Sequence, residues 1–496
     1  MNVTVKSART SSRKHQLVPV ISGDQETLQF LPGELVAAAR KTIGLRKFEG
    51  RREQTLLLAF GDRQCLLTGL GDPATLTFPG FQEAIGKGFL QLSEAGADKI
   101  DLLLPADLGW EIPAMTRLAA EAVLMAGYTF TCYRTIAEKP PSREVRLVPP
   151  ETPSAKEANA MKQALARAMA VADGIHLARD LINHPAEVAH PGYVAAEARR
   201  VAKAAGAKYR EIAGEALKRA GFHAIHAVGR AGEHAPRLVA LEYGRRRKNV
   251  PTLALVGKGV TFDSGGLDIK SASGMALMKK DMGGAAIVLG AFLAIAAQKT
   301  PIHLICVLGL AENAVDTHAY RPGDILRTKH GPTVEVTNTD AEGRIVLADA
   351  MALAHQYKPG VMIDFATLTG ACRVALGREV MGLFCDDVQL RDSLMTLGES
   401  TGDHLWPLPL WAPYERMLKS EVADMVNAPS EGVAGAITAA LFLKAFAGEV
   451  AWAHIDCYGW SDGHASLFPK GGSGAGVRLC AEYATRLLEE TTDVSG

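Results

Sequence analysis

A chain of 496 residues exceeds what one ordinary hydrophobic core accommodates, so two or three domains are expected. Hydrophobic residues make up 48% and charged residues 22%, with a mean hydropathy of +0.05, a balance that argues against both a disordered polyelectrolyte and a membrane bundle. The 54 Lys and Arg match the 54 Asp and Glu, so no global field draws the chain to nucleic acid or an anionic membrane, and basic clusters such as Arg245-Arg246-Arg247-Lys248 read as solvated loops or intersubunit contacts.

The N-terminal stretch, 1–16, is polar and basic with no apolar segment of the secretory kind. Residues 55–60 and 99–105 are continuous apolar runs that predict buried strands, while 81–95 and 112–126 carry helical periodicity. Residues 1–150 therefore predict a small α/β domain with a largely parallel sheet and no catalytic cluster. A proline-rich, charged segment at 138–153 predicts a linker, because proline blocks helix and ladder alike. A long helix is expected at 154–182, and 151–184 as a whole is expected to connect to a second domain spanning 185–496.

In that second domain, strand-like runs (237–241, 253–256, 302–308, 334–336, 361–365) alternate with helices that include 283–298 and 344–356. The alternation predicts a doubly wound α/β sheet. The small-apolar run 283–296 is too short to span a bilayer and begins beside an aspartate. The seven cysteines are scattered, with no CxxC pair, which points to buried free thiols in a reducing cytoplasm.

Two dense blocks stand out in the second domain. One runs from Gly257 through Lys258 and Asp263 to Gly266, followed by Lys270 and Asp281; the other runs from Asn338 through Asp340 and Glu342 to Arg344. Singly, each acid could cap a turn or a helix. Four acids interleaved with glycines and placed at predicted strand ends, where ligands gather in open α/β sheets, point instead to divalent metal. Bare carboxylates crowded together force protonation, and bound cations resolve the conflict with oxygen ligands suited to Mg, Mn or Zn. A pair of ions about 3.5–4 Å apart can clamp a scissile carbonyl and its attacking water.

Lys258 is expected in a glycine-flanked loop with its pKa lowered by burial and by adjacent cations, so that the neutral amine can donate a lone pair. Lys270 and Arg344 remain charged, placed to stabilise a developing oxyanion. Lys279 and Lys280 read as neutral filler. Competing motifs fail: Gly257-Lys258 lacks both the upstream glycine and the following Ser/Thr of a P-loop, no H-E-x-x-H occurs, and Gly471-Gly472-Ser473-Gly474-Ala475 lacks the last glycine of a nucleophile elbow.

These blocks resemble the leucyl (cytosol) aminopeptidase family, metallopeptidase family M17. Further blocks carry the likeness: Ala311-Glu312-Asn313, Tyr320-Arg321-Pro322-Gly323-Asp324, Ala366-Thr367-Leu368-Thr369-Gly370-Ala371, Gly435-Ala436-Ile437-Thr438-Ala439-Ala440 and Trp452-Ala453-His454-Ile455-Asp456. The resemblance runs from about Asp180 to the C-terminus and is only architectural before residue 150. It implies a macro-like N-terminal domain and a catalytic domain of zinc-exopeptidase type.

It further implies that Lys258, Asp263, Asp281, Asp340 and Glu342 ligate two divalent ions (Mn2+ or Zn2+), with Asp263 and Glu342 bridging. Lys270 and Arg344 would be the catalytic pair, with a bicarbonate at Arg344 as proton shuttle. Lys270, Met278, Asp281, Thr367, Leu368 and Gly370 would bind substrate, Asp281 at the α-amine and Met278, Thr367 and Gly370 at the side chain. The implied function is a cytoplasmic, homohexameric aminopeptidase that acts on short peptides with broad, leucine-like specificity. Alternatives are a cysteinylglycine-type dipeptidase and an added DNA-binding role, the latter disfavoured by the balanced charge. The chain departs from the family pattern at His184 and Glu187, at 314–318, and at Cys457-Tyr458-Gly459-Trp460, where smaller residues are expected near the specificity pocket.

Overall fold

The computed structural model describes residues 1–6, 13–23, 33–106, 108–135 and 143–493. They form two compact units: 1–172 with 462–469, and 173–461 with 470–496.

The first unit contains β1 (Asn2–Val5), β2 (His15–Ile21), α1 (Gly33–Arg46), β3 (Thr55–Phe60), β4 (Arg63–Gly71), α2 (Phe78–Glu94), β5 (Lys99–Leu103), α3 (Ile112–Ala126) and β6 (Glu144–Val148). Its six-stranded sheet runs in the order β1-β6-β5-β2-β4-β3, parallel except for the β3–β4 pair. The predicted helix at 81–95 starts earlier because Thr77 caps it, its hydroxyl accepting from Gly80 N, and Pro79 fits the first turn. Two expectations fail. The run 55–60 is an antiparallel edge strand with Leu57 43% exposed, not a buried strand. The supposed linker contains β6, which lies between β1 and β5; an apolar Val145–Leu147–Val148 pattern outweighs the flanking prolines. Residues 138–142 of that segment lie outside the described residues. Chain order also misses that 462–469 belongs to this unit, where Ser466 N donates to Glu83 Oε1 at 2.8 Å.

The long helix α4 (Ala155–Asn183) opens with a reciprocal cap: Glu157 N donates to Ser154 Oγ, and Ser154 N to Glu157 Oε2. The elements that follow are α5 (Pro191–Ala205), β7 (Lys208–Ala213), α6 (Glu215–Arg219), α7 (His223–Gly229), β8 (Arg237–Tyr243), β9 (Thr252–Asp263), α8 (Ala272–Met275), α9 (Gly283–Ala297) and β10 (His303–Asn313). Then come β11 (Ile325–Leu326), β12 (Val334–Glu335), α10 (Glu342–His355), β13 (Val361–Ala366), α11 (Gly370–Leu376), β14 (Met381–Phe384), α12 (Val388–Thr401) and β15 (Leu405–Pro407). Last are β16 (Met425–Val426), α13 (Gly435–Ala447), β17 (Ala451–Asp456), β18 (Trp460–Ser461), β19 (Gly471–Gly472) and α14 (Val477–Asp493).

The main sheet has eight strands in the order β15-β14-β17-β13-β9-β10-β8-β7, with a parallel centre and antiparallel pairs toward both sides. Helix α9 packs on β9 and against α14, while α10 packs on β10 and against α7 and α13, so the parallel centre is covered by helices on both faces. The 20-residue apolar stretch Met278–Ala297 is long enough to cross a membrane, yet 89% of its 18-residue apolar window is buried inside this domain. The predicted strand at 334–336 is not in the main sheet: β12 pairs with β11 and β16 in a small separate sheet, too short to bridge the layers.

Asp349, on α10, is completely buried and accepts backbone N–H bonds from Ile225 (3.0 Å) and Lys329 (3.2 Å). Burial pushes its pKa up to about 7, against those backbone donors. A carboxyl raised from an unfolded value of 3.8 stabilises the fold fully below pH 3.8 and loses that contribution as pH climbs to 7. Wild-type protein is therefore expected to lose a few kcal/mol from this group between pH 4 and 8, at about 1.4 kcal/mol per pKa unit. Thermal midpoints of wild type and Asp349→Asn at pH 5 and 8 test this: the wild-type advantage should shrink at pH 8, and an equal gap at both pH values would count against it.

Candidate active site

Strand β9 carries two of the candidate residues. Lys258 lies within the strand, opposite Gly309 of β10, and not in a loop, because the strand runs on to Asp263 through a shift of register after Val260. Asp263 is thereby placed at the carboxyl end of a central strand. Asp281 sits in a 3-10 turn, Met278–Met282, that leads into α9, and Glu342 is the first residue of α10 with Asp340 two positions before it. Thr367, Leu368 and Gly370 follow β13. All the residues singled out above for catalysis, metal and substrate line one cavity of about 400 Å3: Lys258, Asp263, Lys270, Met278, Asp281, Asp340, Glu342, Arg344, Thr367, Leu368 and Gly370.

One oxygen each of Asp263, Asp340 and Glu342 lies within 4.8 Å of the other two. Two lysines thread the acids. Lys258 Nζ is 2.7 Å from Asp281 Oδ2 and 2.9 Å from Glu342 Oε1; Lys270 Nζ is 2.8 Å from Asp263 Oδ2 and also pairs with Asp340. Glycine at 343 is what lets Lys258 through, since a Cβ there would stand 2.7 Å from its Nζ.

The electrostatics follow from burial. Glu342 is pushed up to about 8 by burial and then by Asp263; Asp281 and Asp340 are raised by burial and by Asp263. Burial alone would lower Lys258, but Asp281, Glu342 and Asp263 overcome it and hold the ammonium above the ordinary lysine value. Burial thus acts on Lys258 in the expected direction, and three anions crowding one amine outweigh it. Lys258, Lys270, Asp281, Asp340 and Glu342 all bind protons more tightly than usual, as crowded acids and ammonium groups in a buried site do. Asp281 Oδ2 and Glu342 Oε1 are buried and accept no aligned hydrogen bond, although each is at ion-pair distance from Lys258. Hard, unsaturated oxygen donors carrying excess negative charge fit divalent ions.

Neighbours fix these groups. Asp263 Oδ1 accepts from Gly265 N and from Asn313 Nδ2, both at 2.9 Å. Thr367 Oγ1 donates to Asp281 Oδ1 at 2.7 Å. Tyr320 and Asn313 both donate to Thr339 O, which anchors the turn before Asp340. Arg344 is buried, its pKa lowered to about 10 by burial, and its Nη1 donates to Asn427 O at 2.8 Å. Asp456 Oδ1 accepts from Leu368 N at 3.0 Å, so that N–H is not available to a substrate.

Several contributors escaped the sequence reading. Asn427 lies 83 residues from Arg344 and ties it to the 337–341 turn through both amide atoms, a link with no sequence signal. Lys280, read as filler, is 5% exposed and lines the cavity, and burial lowers its pKa. Arg373, Asp456 and Tyr458 share the wall.

Known proteins resemble this chain over most of its length. Residues 176–481 match the model of the cytosol aminopeptidase family catalytic domain, and 18–136 match the N-terminal domain of the same family. A relative from Roseiflexus castenholzii named "Probable cytosol aminopeptidase" is 39% identical over 487 residues, 97% of this chain and 98% of the relative. Another of that name from Geobacter sp. (strain M21) is 41% identical over 450 residues, 89% of this chain and 90% of the relative. Among solved structures, the cytosol aminopeptidase from Coxiella burnetii superposes with a TM-score of 0.82 at 34% identity, covering 98% of this chain and 99% of that one. The bottromycin maturation enzyme BotP in complex with Mn gives 0.84 at 34% identity, covering 96% and 100%. A tomato leucine aminopeptidase mutant gives 0.86 at 29% identity, covering 98% and 96%. The chain belongs to the cytosol aminopeptidase family and is a peptide-bond hydrolase, an aminopeptidase of two-domain α/β architecture.

Proposed function

We propose that the chain is a two-metal aminopeptidase that removes the first residue of short peptides with broad, leucine-accepting specificity. The observation that carries this is the convergence of Asp263, Asp340 and Glu342 on one point, with Asp281 and Lys258 alongside, in a single cavity. Asp263, Asp281, Asp340, Glu342 and Lys258 would hold two divalent ions, Mn2+ or Zn2+, with Asp263 and Glu342 shared between them. Such ions supply Lewis-acid polarisation of the scissile carbonyl and activation of water.

The chain's own residues do the rest. Lys258 must shed its proton to lend a lone pair, so metal uptake releases protons. Asp281, oriented by Thr367, receives the substrate's α-amine, which restricts cleavage to the first peptide bond. Lys270 donates to the carbonyl oxygen as charge develops there. Arg344, held by Asn427, would hold an anion such as bicarbonate, which would supply a proton-transfer group between water and the leaving amine. Met278, Thr367 and Gly370 line the side-chain end, and the Leu368 backbone flanks the substrate.

A cytoplasmic location is supported by the cysteines, all seven of which are free. Homohexamer assembly is part of the proposal, supported by large apolar side chains exposed on the catalytic unit, among them Val374, Trp406, Trp411, Val422 and Val433. Nothing in the site favours a cysteinylglycine dipeptidase or DNA binding. Elemental analysis of the purified protein, with Leu-anilide hydrolysis before and after chelation, tests the reading. Two ions per subunit and chelator-sensitive turnover restored by Mn2+ or Zn2+ are expected; chelator-resistant turnover would refute it.

A further inference from the structure

Lys280 belongs to no ion pair and makes no side-chain hydrogen bond with any described residue, although it is only 5% exposed and is one of the residues lining the active-site cavity. The anions nearest in sequence and space are already engaged: Asp281 with Lys258 and Thr367, Asp456 with Thr369 and the Leu368 N–H. Its contact is the face of Tyr458, with Nζ 4.5 Å from the ring centroid. Two further cations approach the same ring, Arg373 Cζ at 5.8 Å and Arg378 Cζ at 5.3 Å, and Arg373 also lines the cavity.

A buried ammonium without a counter-ion is unfavourable, and a cation–π contact recovers only part of its lost hydration. An anion entering the cavity would recover the remainder, as a charge-assisted hydrogen bond to Nζ flanked by a guanidinium. A purely apolar side chain would leave the ammonium unsatisfied. A peptide can bring a carboxylate here from its first side chain or from its C-terminus. Position favours the first: Lys280 sits between Met278, at the proposed side-chain pocket, and Asp281, at the proposed α-amine anchor.

We propose that Lys280, backed by Tyr458 and assisted by Arg373, forms a carboxylate-binding subsite for the first side chain, so that N-terminal glutamate and aspartate are preferred substrates beside leucine-like ones. The proposal rests on the aminopeptidase reading and adds a substrate class to it. The Tyr458 position, where the sequence departs from the family pattern, then has a physical role: its ring seats the lysine that small residues could not hold.

The test compares kcat/KM of the metal-loaded, full-length enzyme for Glu-, Gln- and Leu-anilides in wild type, Lys280→Met and Arg373→Ala. Gln is the uncharged near-isostere of Glu, so the Glu/Gln ratio isolates the carboxylate. A ratio of about tenfold or more is expected in wild type, falling to about one in Lys280→Met and by a few-fold in Arg373→Ala, whose exposed side chain can be removed without disturbing the core. A wild-type ratio near one, or a ratio unchanged in both variants, would overturn the subsite. Leu-Gly and Leu-Gly-amide form the second arm: a Lys280-dependent preference for the free C-terminus in place of the Glu/Gln effect would overturn the side-chain assignment.

Calorimetric binding of L-glutamate and L-glutamine separates this proposal from the peptidase reading. If no anilide were cleaved, tighter glutamate binding that is lost in Lys280→Met would still support the subsite, and equal binding would overturn it.

Discussion

Replacing Glu342 by alanine is expected to lower kcat/KM for Leu-anilide by a factor on the order of 10³ or more while leaving the fold intact. The estimate follows from the several kcal/mol that metal polarisation supplies, at about 1.4 kcal/mol per tenfold. Glu342 is 1% exposed, and its oxygens reach toward Asp263, Asp340 and Lys258, so its loss removes the group proposed to be shared by both ions. Metal content should fall in parallel with activity.

Stability offers a second readout. Burial holds the Glu342 carboxyl up at about 8 against an ordinary 4.5, so in chelated protein the ionised side chain is unfavourable, increasingly so as pH rises from 4.5 to 8. After chelation at pH 8 the variant should be as stable as wild type or more so, whereas with metal present wild type should be the more stable. A residue with a merely structural role would be destabilising to lose in both conditions. Near-normal turnover in a fully metallated variant would end the bridging assignment.

The second large effect is expected at Gly284, near the start of α9. A Cβ there would stand 2.0 Å from Phe365 O and 3.0 Å from Lys258 N, and both are strand backbone that cannot rotate away. Overpacking against side chains costs about 1–3 kcal/mol, and against backbone the cost belongs at or above the top of that range. Gly284→Ala should therefore lower the thermal midpoint by roughly 5–10 °C and reduce soluble yield. Gly360→Ala is the control: its Cβ would meet nothing nearer than Thr252 O at 3.7 Å, so its midpoint should be unchanged or slightly higher. Equal midpoints for the two variants would show that α9 can shift away from β13. The steric argument would then fail.

Much of the site was legible because its chemistry is concentrated in two short blocks. Asp263 and Glu342 are separated by 79 positions, but the first ends and the second opens an element whose periodicity is visible, and the strand-end rule accounts for Asp263, since β12 lies outside the main sheet. The apolar runs at 99–105 and 253–256 became central strands because such runs can bury both faces only inside a sheet. Other features resisted the same reading. Segment 138–153 looked like a linker because proline is a strong local signal, while the partners that recruit β6, namely β1 and β5, come from distant parts of the chain.

The sequence by itself pointed to the class of chemistry: acids, lysines and an arginine concentrated in two glycine-rich blocks, set on alternating strands and helices. The tertiary structure decided which charges meet. It put Lys258 inside β9 among three carboxylates that outweigh the effect of burial on its amine, and it hung Arg344 on Asn427. It also turned Lys280 from surface filler into a buried cation against Tyr458. Each of these depends on burial and on contacts between residues far apart in the chain. Desolvation and Coulomb interaction act through space, so local sequence cannot encode their sign.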